Sequence, residues 1–205
     1  MTRAVPRHGS GSSGGGSNAR PAGEVRLIGG QWKRTRLPVA DRPGLRPTPD
    51  RVRETLFNWL GQDLTGWRVL DAFAGSGALG LEAASRGAVE VVLIERDAAQ
   101  ARSLEATCAR LATEGVQVVH GDALAWMARA TALSPAHFDL VLLDPPFDAG
   151  LHAAALAAAA PLLAEGGFVY VESAAPVQAL PAGLAPWRSL RAGAVHAQLL
   201  RRAAA

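Results

Sequence analysis

Residues Val69-Leu-Asp-Ala-Phe-Ala-Gly-Ser-Gly-Ala-Leu-Gly-Leu-Glu-Ala83 constrain this chain more than any other stretch. Val69 and Leu70 read as the end of a short buried strand. Gly75, Gly77 and Gly80 make a tight turn, and from Ala78 the apolar residues recur at helical spacing. A strand, a glycine turn and a helix open a nucleotide-binding βαβ unit. Glycine suits the turn because a Cβ there would hold the backbone away from a ligand.

The rest of the chain alternates in the same way. Strands are predicted at Arg68–Ala72, Glu90–Glu95, Val116–His120, Phe138–Leu143 and Phe168–Glu172. Helices are predicted at Ala78–Arg86, Ala98–Leu111, Ala123–Ala132 and Leu151–Ala164. Trp187–Arg191 and Ala194–Arg202 read as a closing antiparallel hairpin. Seven strands alternating with helices imply an α/β fold: a mostly parallel seven-stranded sheet with helices on both faces. Ahead of it, Glu24–Val39 reads as a small hairpin bent at Gly29-Gly30. A proline-punctuated loop follows, and then a helix with Thr48 or Asp50 as N-cap, Pro49 at its first position and Gly61 at its end. Residues 1–23 are Gly/Ser-rich and are expected to stay a disordered tail. The expected division is 1–23 as tail, 24–60 as a basic hairpin and helix on the substrate side, and 61–205 as the cofactor-binding domain.

Charge is uneven. Residues 1–60 hold 11 Lys/Arg and 4 Asp/Glu, whereas residues 61–205 hold 10 and 14. A basic front on an acidic body points to a polyanionic partner, nucleic acid in particular. A tail that only aids solubility is the blander reading. The single cysteine, Cys108, rules out an intrachain disulfide and suits a reducing cytoplasm. No apolar run is long enough to span a membrane. His120 and His152 lack partners at metal-ligand spacing, so no metal is expected.

Four acids fall at the ends of four successive predicted strands: Asp71, Glu95, Asp122 and Asp144. Ligands of open α/β sheets bind at that edge, although an acid after a strand can also simply cap the next helix. Gly75-Ser-Gly-Ala-Leu-Gly80 matches the dinucleotide pattern, with Glu95 about 20 residues on, so NAD is one reading. Asp71 argues against it, because a carboxylate there would repel a pyrophosphate. S-adenosylmethionine, cationic and without phosphate, suits the site better. Asp71 is then expected to face its ammonium group, Glu95 its ribose hydroxyls and Asp122 its adenine amino group. The flanking Phe73, Ala74, Gly75, Gly77, Arg96 and Ala123 complete the expected cofactor site.

Asp144-Pro145-Pro146-Phe147 carries the reaction. Two prolines fix the backbone and leave outward carbonyls. Asp144 and the Pro145 carbonyl can accept both hydrogens of an exocyclic amine, and Phe147 can stack on its ring. Accepting those hydrogens favours a pyramidal, nucleophilic nitrogen that attacks a sulfonium methyl in line, so catalysis is mainly positioning and electrostatics.

Asp144–Phe147 resembles the signature of class I amino-group methyltransferases acting on nucleobases, and alone it would also admit DNA adenine or cytosine methyltransferases and protein-glutamine ones. With Arg26-Leu-Ile-Gly-Gly-Gln-Trp-Lys33, Leu45-Arg-Pro-Thr-Pro-Asp-Arg-Val-Arg-Glu-Thr-Leu-Phe-Asn58, Asp71–Ala83 and Val171-Glu-Ser173, the chain is similar to the RsmD family over roughly 25–202. That resemblance implies a Rossmann-like class I methyltransferase fold. It also implies S-adenosylmethionine-dependent methylation of a guanine N2 in bacterial 16S rRNA, within a 30S subunit or an assembly intermediate, by a cytoplasmic enzyme that is expected to be monomeric. It places Arg46, Thr48, Arg51 and Arg53 between cofactor and RNA. Arg51 could instead pair with Glu54 at i, i+3. Lys33, Arg34 and Arg36 read as phosphate contacts, and Trp32 as core or stacking surface.

Overall fold

The computed structural model describes residues 23–39, 49–146 and 150–203. Two short antiparallel strands, β1 (Glu24–Arg26) and β2 (Arg36–Pro38), precede helix α1 (Asp50–Trp59). Then β3 (Arg68–Asp71), α2 (Gly80–Ser85), β4 (Glu90–Glu95), α3 (Ala98–Leu111), β5 (Val116–His120), α4 (Ala123–Leu133) and β6 (Phe138–Leu143) alternate. Helix α5 (His152–Ala159), a 3₁₀ turn at Ala160–Leu162, β7 (Leu163–Ser173), β8 (Leu184–Ala192) and β9 (Val195–Arg202) complete the fold.

The large sheet has the order β5-β4-β3-β6-β7-β9-β8. The first five in that order are mutually parallel, and β9 runs antiparallel to both neighbours. The order reverses between β3 and β6, which opens a crevice beyond their carboxyl ends. Ala72 N–H donates to the Leu142 carbonyl at 3.1 Å, so the two strand ends that carry the glycine turn and Asp144 are joined directly.

Each sheet face has its own core. One gathers α1, α2, α3 and the small hairpin around Val69, Leu93, Leu140 and Tyr170. The other packs α4 and α5 on Leu70, Ile94, Val141 and Val169. The central strands are apolar on both faces for this reason.

The small hairpin is fastened to the C-terminal end of α2. Ser85 Oγ donates to the Gly29 carbonyl (2.7 Å) and accepts from Trp32 N–H (2.9 Å), while Gln31 N–H donates to the Ser85 carbonyl (2.8 Å). A Cβ on Gly30 would strike the Ser85 carbonyl, and one on Gly29 would strike the Arg86 guanidinium, so two glycines permit this close approach. Trp32 packs against the core.

Several boundaries differ from the sequence reading; β8, for example, starts at Leu184 and α2 at Gly80. The helix after β6 ends at Ala159, because Pro161 has no N–H to continue it and a 3₁₀ turn forms instead. β7 starts at Leu163, five residues early. It crosses Gly166-Gly167 with a register shift between Phe138 and Leu140 of β6. α1 has Pro49 itself at the cap with no side-chain cap bond. Thr48 lies outside the described residues.

Candidate active site

Asp71, Glu95, Asp122 and Asp144 stand at or just beyond the carboxyl ends of β3, β4, β5 and β6, in adjacent positions along the sheet edge. Their environments differ. Asp71 is only 1% exposed. Its Oδ2 accepts the Gly80 N–H at 2.9 Å, pinning the start of α2 to the end of β3. The expectation that Asp71 faces a ligand's ammonium group is therefore corrected. It lies in the unbroken buried run Val69–Ala72 and clamps the loop from beneath.

Burial raises the Asp71 carboxyl to about 7. The Gly80 and Phe73 N–H groups oppose the rise, while repulsion from Glu95 and Glu172 adds to it. The folded chain therefore keeps a proton that the unfolded chain releases near 3.8. Stability from this group is full below the unfolded value and is lost as pH rises through about 7. Against an Asp71→Asn variant, the wild-type melting temperature is expected to fall steadily from about pH 4 to about pH 7 and then level off. Thermal melts of both proteins across that range test this. A constant gap between them would show that Asp71 does not titrate there.

Glu95 is half-buried. Its Oε2 accepts the Gly75 N–H at 3.0 Å and its Oε1 the Asp97 N–H at 2.7 Å. Gln100 Nε2 donates to the Gly75 carbonyl at 2.8 Å, and Asp97 caps α3 through Gln100 N–H. Asp97 and Gln100 thus join the loop support. The signal for the cap was visible, since Asp97 immediately precedes a helical pattern. Asp122 is exposed and caps α4, accepting Ala125 N–H at 2.9 Å, so the capping role weighed for these acids holds there.

The three glycines of the turn do different work. Gly75 has φ +52°, and a Cβ there would meet nothing within 4 Å. Its outer side is open. Gly77 (φ +78°) lies against Leu104 and Leu81, and Gly80 against Leu93 and Asp71, so these two permit close packing of helix and strand.

This loop is poorly suited to a pyrophosphate. The N–H groups of Gly75 and Gly80, the donors that would cradle a phosphate, already serve carboxylates. The neighbouring side chains are acidic. The open space beside Gly75, with the Glu95 carboxylate bonded to the Gly75 N–H, fits a cationic nucleoside without phosphate. S-adenosylmethionine meets that description, and NAD does not. Phe73 is half-buried, Ala74 and Ala123 are buried and Arg96 is exposed beside the same edge.

Asp144 is half-buried, Pro145 buried and Pro146 exposed. Phe147 lies outside the described residues. Behind them, Tyr170 donates its hydroxyl to Glu172 Oε1 at 2.8 Å, and both residues are buried. The phenol is held well above its ordinary value by burial first, then by Glu172 and Asp144. His152 contacts the Glu172 carbonyl at 3.0 Å. Among the described residues no three His, Cys, Asp or Glu side chains gather as a metal site, and no helix is long and apolar enough to cross a membrane.

The basic residues divide. Lys33, Arg34, Arg36 and Arg51 are exposed, with Arg36 paired to Glu24 at 2.8 Å. Arg46 lies outside the described residues. Arg53 corrects the sequence reading. It is 0% exposed, so it is not available to RNA. Its Nη2 donates to the Arg26 carbonyl (2.8 Å) and Asp50 Oδ1 (2.7 Å), and its Nη1 lies 3.7 Å from Glu82 Oε2. Asp50–Arg53 is thus the i, i+3 pair on α1, in place of Arg51–Glu54. The spacing held the signal: Arg53, Leu56, Phe57 and Leu60 share one helical stripe.

The chain matches the family described as Conserved hypothetical protein 95 over residues 25–201. It is 42% identical to Ribosomal RNA small subunit methyltransferase D of Escherichia coli K12 over 195 residues, covering 91% of this chain and 94% of that protein. It is 45% identical over 127 residues to the protein of the same name in Haemophilus influenzae, covering 61% of this chain and 65% of that one. The solved structure of yhhF from Escherichia coli superposes with a TM-score of 0.78 at 41% identity, covering 89% of this chain and all of that one. The fold, the glycine turn, the Asp-Pro-Pro edge and these likenesses agree, and the chain belongs to the RsmD family.

Proposed function

We propose that this chain transfers the methyl group of S-adenosylmethionine to the exocyclic N2 amino group of a guanine in bacterial small-subunit rRNA. The observation that carries the reading is the placement of Asp144-Pro145-Pro146 directly beyond β6, beside the β3 glycine turn at the point where strand order reverses. Family membership supports it, since curated relatives bear the name Ribosomal RNA small subunit methyltransferase D.

The bound cofactor supplies an activated methyl group. Gly75 and Glu95 would hold its adenosine part, with Phe73, Ala74, Gly77, Arg96, Asp122 and Ala123 around it. Asp144 Oδ and the Pro145 carbonyl accept the two N2 hydrogens, which orients the amine lone pair and strengthens it as a nucleophile. Phe147 stacks on the base. As N2 takes that methyl group, the surplus N2 proton would leave along the hydrogen bond to Asp144. Fixed acceptors need no reorganisation as positive charge grows on nitrogen. Lys33, Arg34, Arg36 and Arg51, with Arg46 and Thr48 from the preceding loop, contact the RNA backbone. The substrate is rRNA in a 30S particle or assembly intermediate, and the enzyme works as a cytoplasmic monomer.

Transfer of labelled methyl to methyl-deficient 30S particles tests the reading. Label in 16S rRNA is expected, and label only in DNA or protein would overturn the substrate assignment.

A further inference from the structure

Residues 174–205 contain four arginines and no Asp or Glu, although residues 61–173 carry 6 Arg against 14 acids. The fold gathers these arginines at the outer edge of the sheet, where β8 is the last strand. Arg188, Arg191 and Arg201 are exposed, and Trp187 is 42% exposed. Arg188 lies over the Trp187 ring at 4.8 Å and Arg201 at 5.1 Å, with Arg201 also 5.8 Å from the Phe168 ring. Phe168 stacks in turn on Trp67, with ring centroids 6.2 Å apart. A cleft of about 540 Å³ opens here, lined by Trp187, Arg201, Arg202 and one acid, Glu165, among others.

These guanidiniums are positioned without being neutralised. Arg188 donates to the Trp187 carbonyl and Arg202 to the Leu163 carbonyl, and among the described residues none of the four arginines forms an ion pair with a carboxylate. Strand register sorts them. Arg188 stands opposite Leu199, and Arg201 opposite Phe168, in the layer that also holds α1. Arg191, three residues from Arg188, stands opposite His196 on the other face. A cationic patch held by rings and carbonyls suits an anion that arrives from outside, and an edge several strands long suits a polymer of them.

We propose that the Arg188–Trp187–Arg201 edge is a second contact for the phosphate backbone of the substrate RNA, apart from the crevice at the carboxyl ends of β3 and β6. It is set apart sideways, because β7, β9 and β8 lie beyond β6 in the sheet, with Arg188 level with Leu142 and Arg201 level with Leu140 through the register. The proposal rests on the RNA reading above. Phosphate contacts of this kind hold register and orientation without reading sequence.

The test is binding of the full chain to methyl-deficient small-subunit particles across a salt series, with wild type, Arg188→Gln, Arg188→Gln/Arg201→Gln and Arg191→Gln. The double variant is expected to bind about tenfold more weakly near physiological salt, with its log–log salt slope reduced by about 2. Its kcat at saturating particle and its affinity for S-adenosylhomocysteine should stay at wild-type values. Arg188→Gln, exposed on an edge strand, should lower the slope by about 1 even if the double variant folds poorly. Unchanged affinity and slope in Arg188→Gln would overturn the proposal, and so would an equal loss in Arg191→Gln. Wild-type particles bound but never methylated would sink the methylation reading while the salt slopes still decided this surface.

Discussion

Asp144→Ala is expected to lower kcat by roughly 10²–10⁴ while changing S-adenosylhomocysteine affinity less than threefold, about the range seen when a positioned proton acceptor or electrostatic group is removed. The prediction separates two roles at one edge. Gly75 and Glu95 line the open space beside the glycine turn. Asp144 lies across the strand-order reversal, just beyond β6. Removing it leaves the turn and its supports intact. Asp144→Asn should recover little, because an amide presents one oxygen where the carboxylate presents two and cannot take the departing proton. Calorimetry with S-adenosylhomocysteine and single-turnover methyl transfer together check this. An Asp144→Ala enzyme that turned over at the wild-type rate would remove the proposed mechanism.

The second large effect concerns stability. Glu82 is fully buried and joins three segments. Its Oε1 accepts from Arg86 Nε (2.9 Å) and Nη2 (2.8 Å), its Oε2 accepts Ile28 N–H (2.7 Å), and Arg53 Nη1 stands 3.7 Å away. Among the described residues Arg53 Nε and Nη1 have no hydrogen-bond partner, so Glu82, with Asp50 at Nη2, compensates a cation with 0% exposure. Breaking a buried ion pair by removing one partner typically costs about 3–5 kcal/mol. Glu82→Gln should therefore lower stability by about that amount, and the melting temperature by on the order of 10 °C for a chain of this size. The loss should appear first as detachment of the small hairpin, whose Ile28 N–H loses an anionic acceptor. Denaturant unfolding with hydrogen exchange at Ile28 measures both. A loss below about 1 kcal/mol would mean the network is not what seats the hairpin.

Much of this architecture was legible in the sequence. β4, β5, β6 and α3 fall on their predicted bounds because each is a clear apolar run or a clear helical period. The edge acids were legible because strand ends are predictable once strands are. What was hidden is where a side chain goes when tertiary packing overrides its type. Arg53 read as an RNA contact because arginine is basic. Its helix stripe with Leu56 and Phe57, and the Glu82 carboxylate above it, make it a buried strut. Asp71 read as a ligand contact because acids at that edge often are, yet the N–H groups of Gly80 and Phe73 turn it inward. The sequence places the start of β7 at Phe168, yet a strand can pass through Gly166-Gly167 when its neighbour bulges to match.

The opening glycine pattern is sharpened in the same way. One of its three glycines faces open space, and the other two let α2 and α3 approach the sheet. The turn thus reports a nucleoside site, and its acidic supports report one without phosphate. The proposed reaction rests on Asp144 and Pro145 beside it.

Mass spectrometry of nucleosides from 16S rRNA, after incubating the enzyme and S-adenosylmethionine with methyl-deficient 30S particles, tests the central claim most directly. The account predicts N2-methylguanosine at one position, absent without enzyme. Methylation on adenine or cytosine, or none in the rRNA, would contradict it.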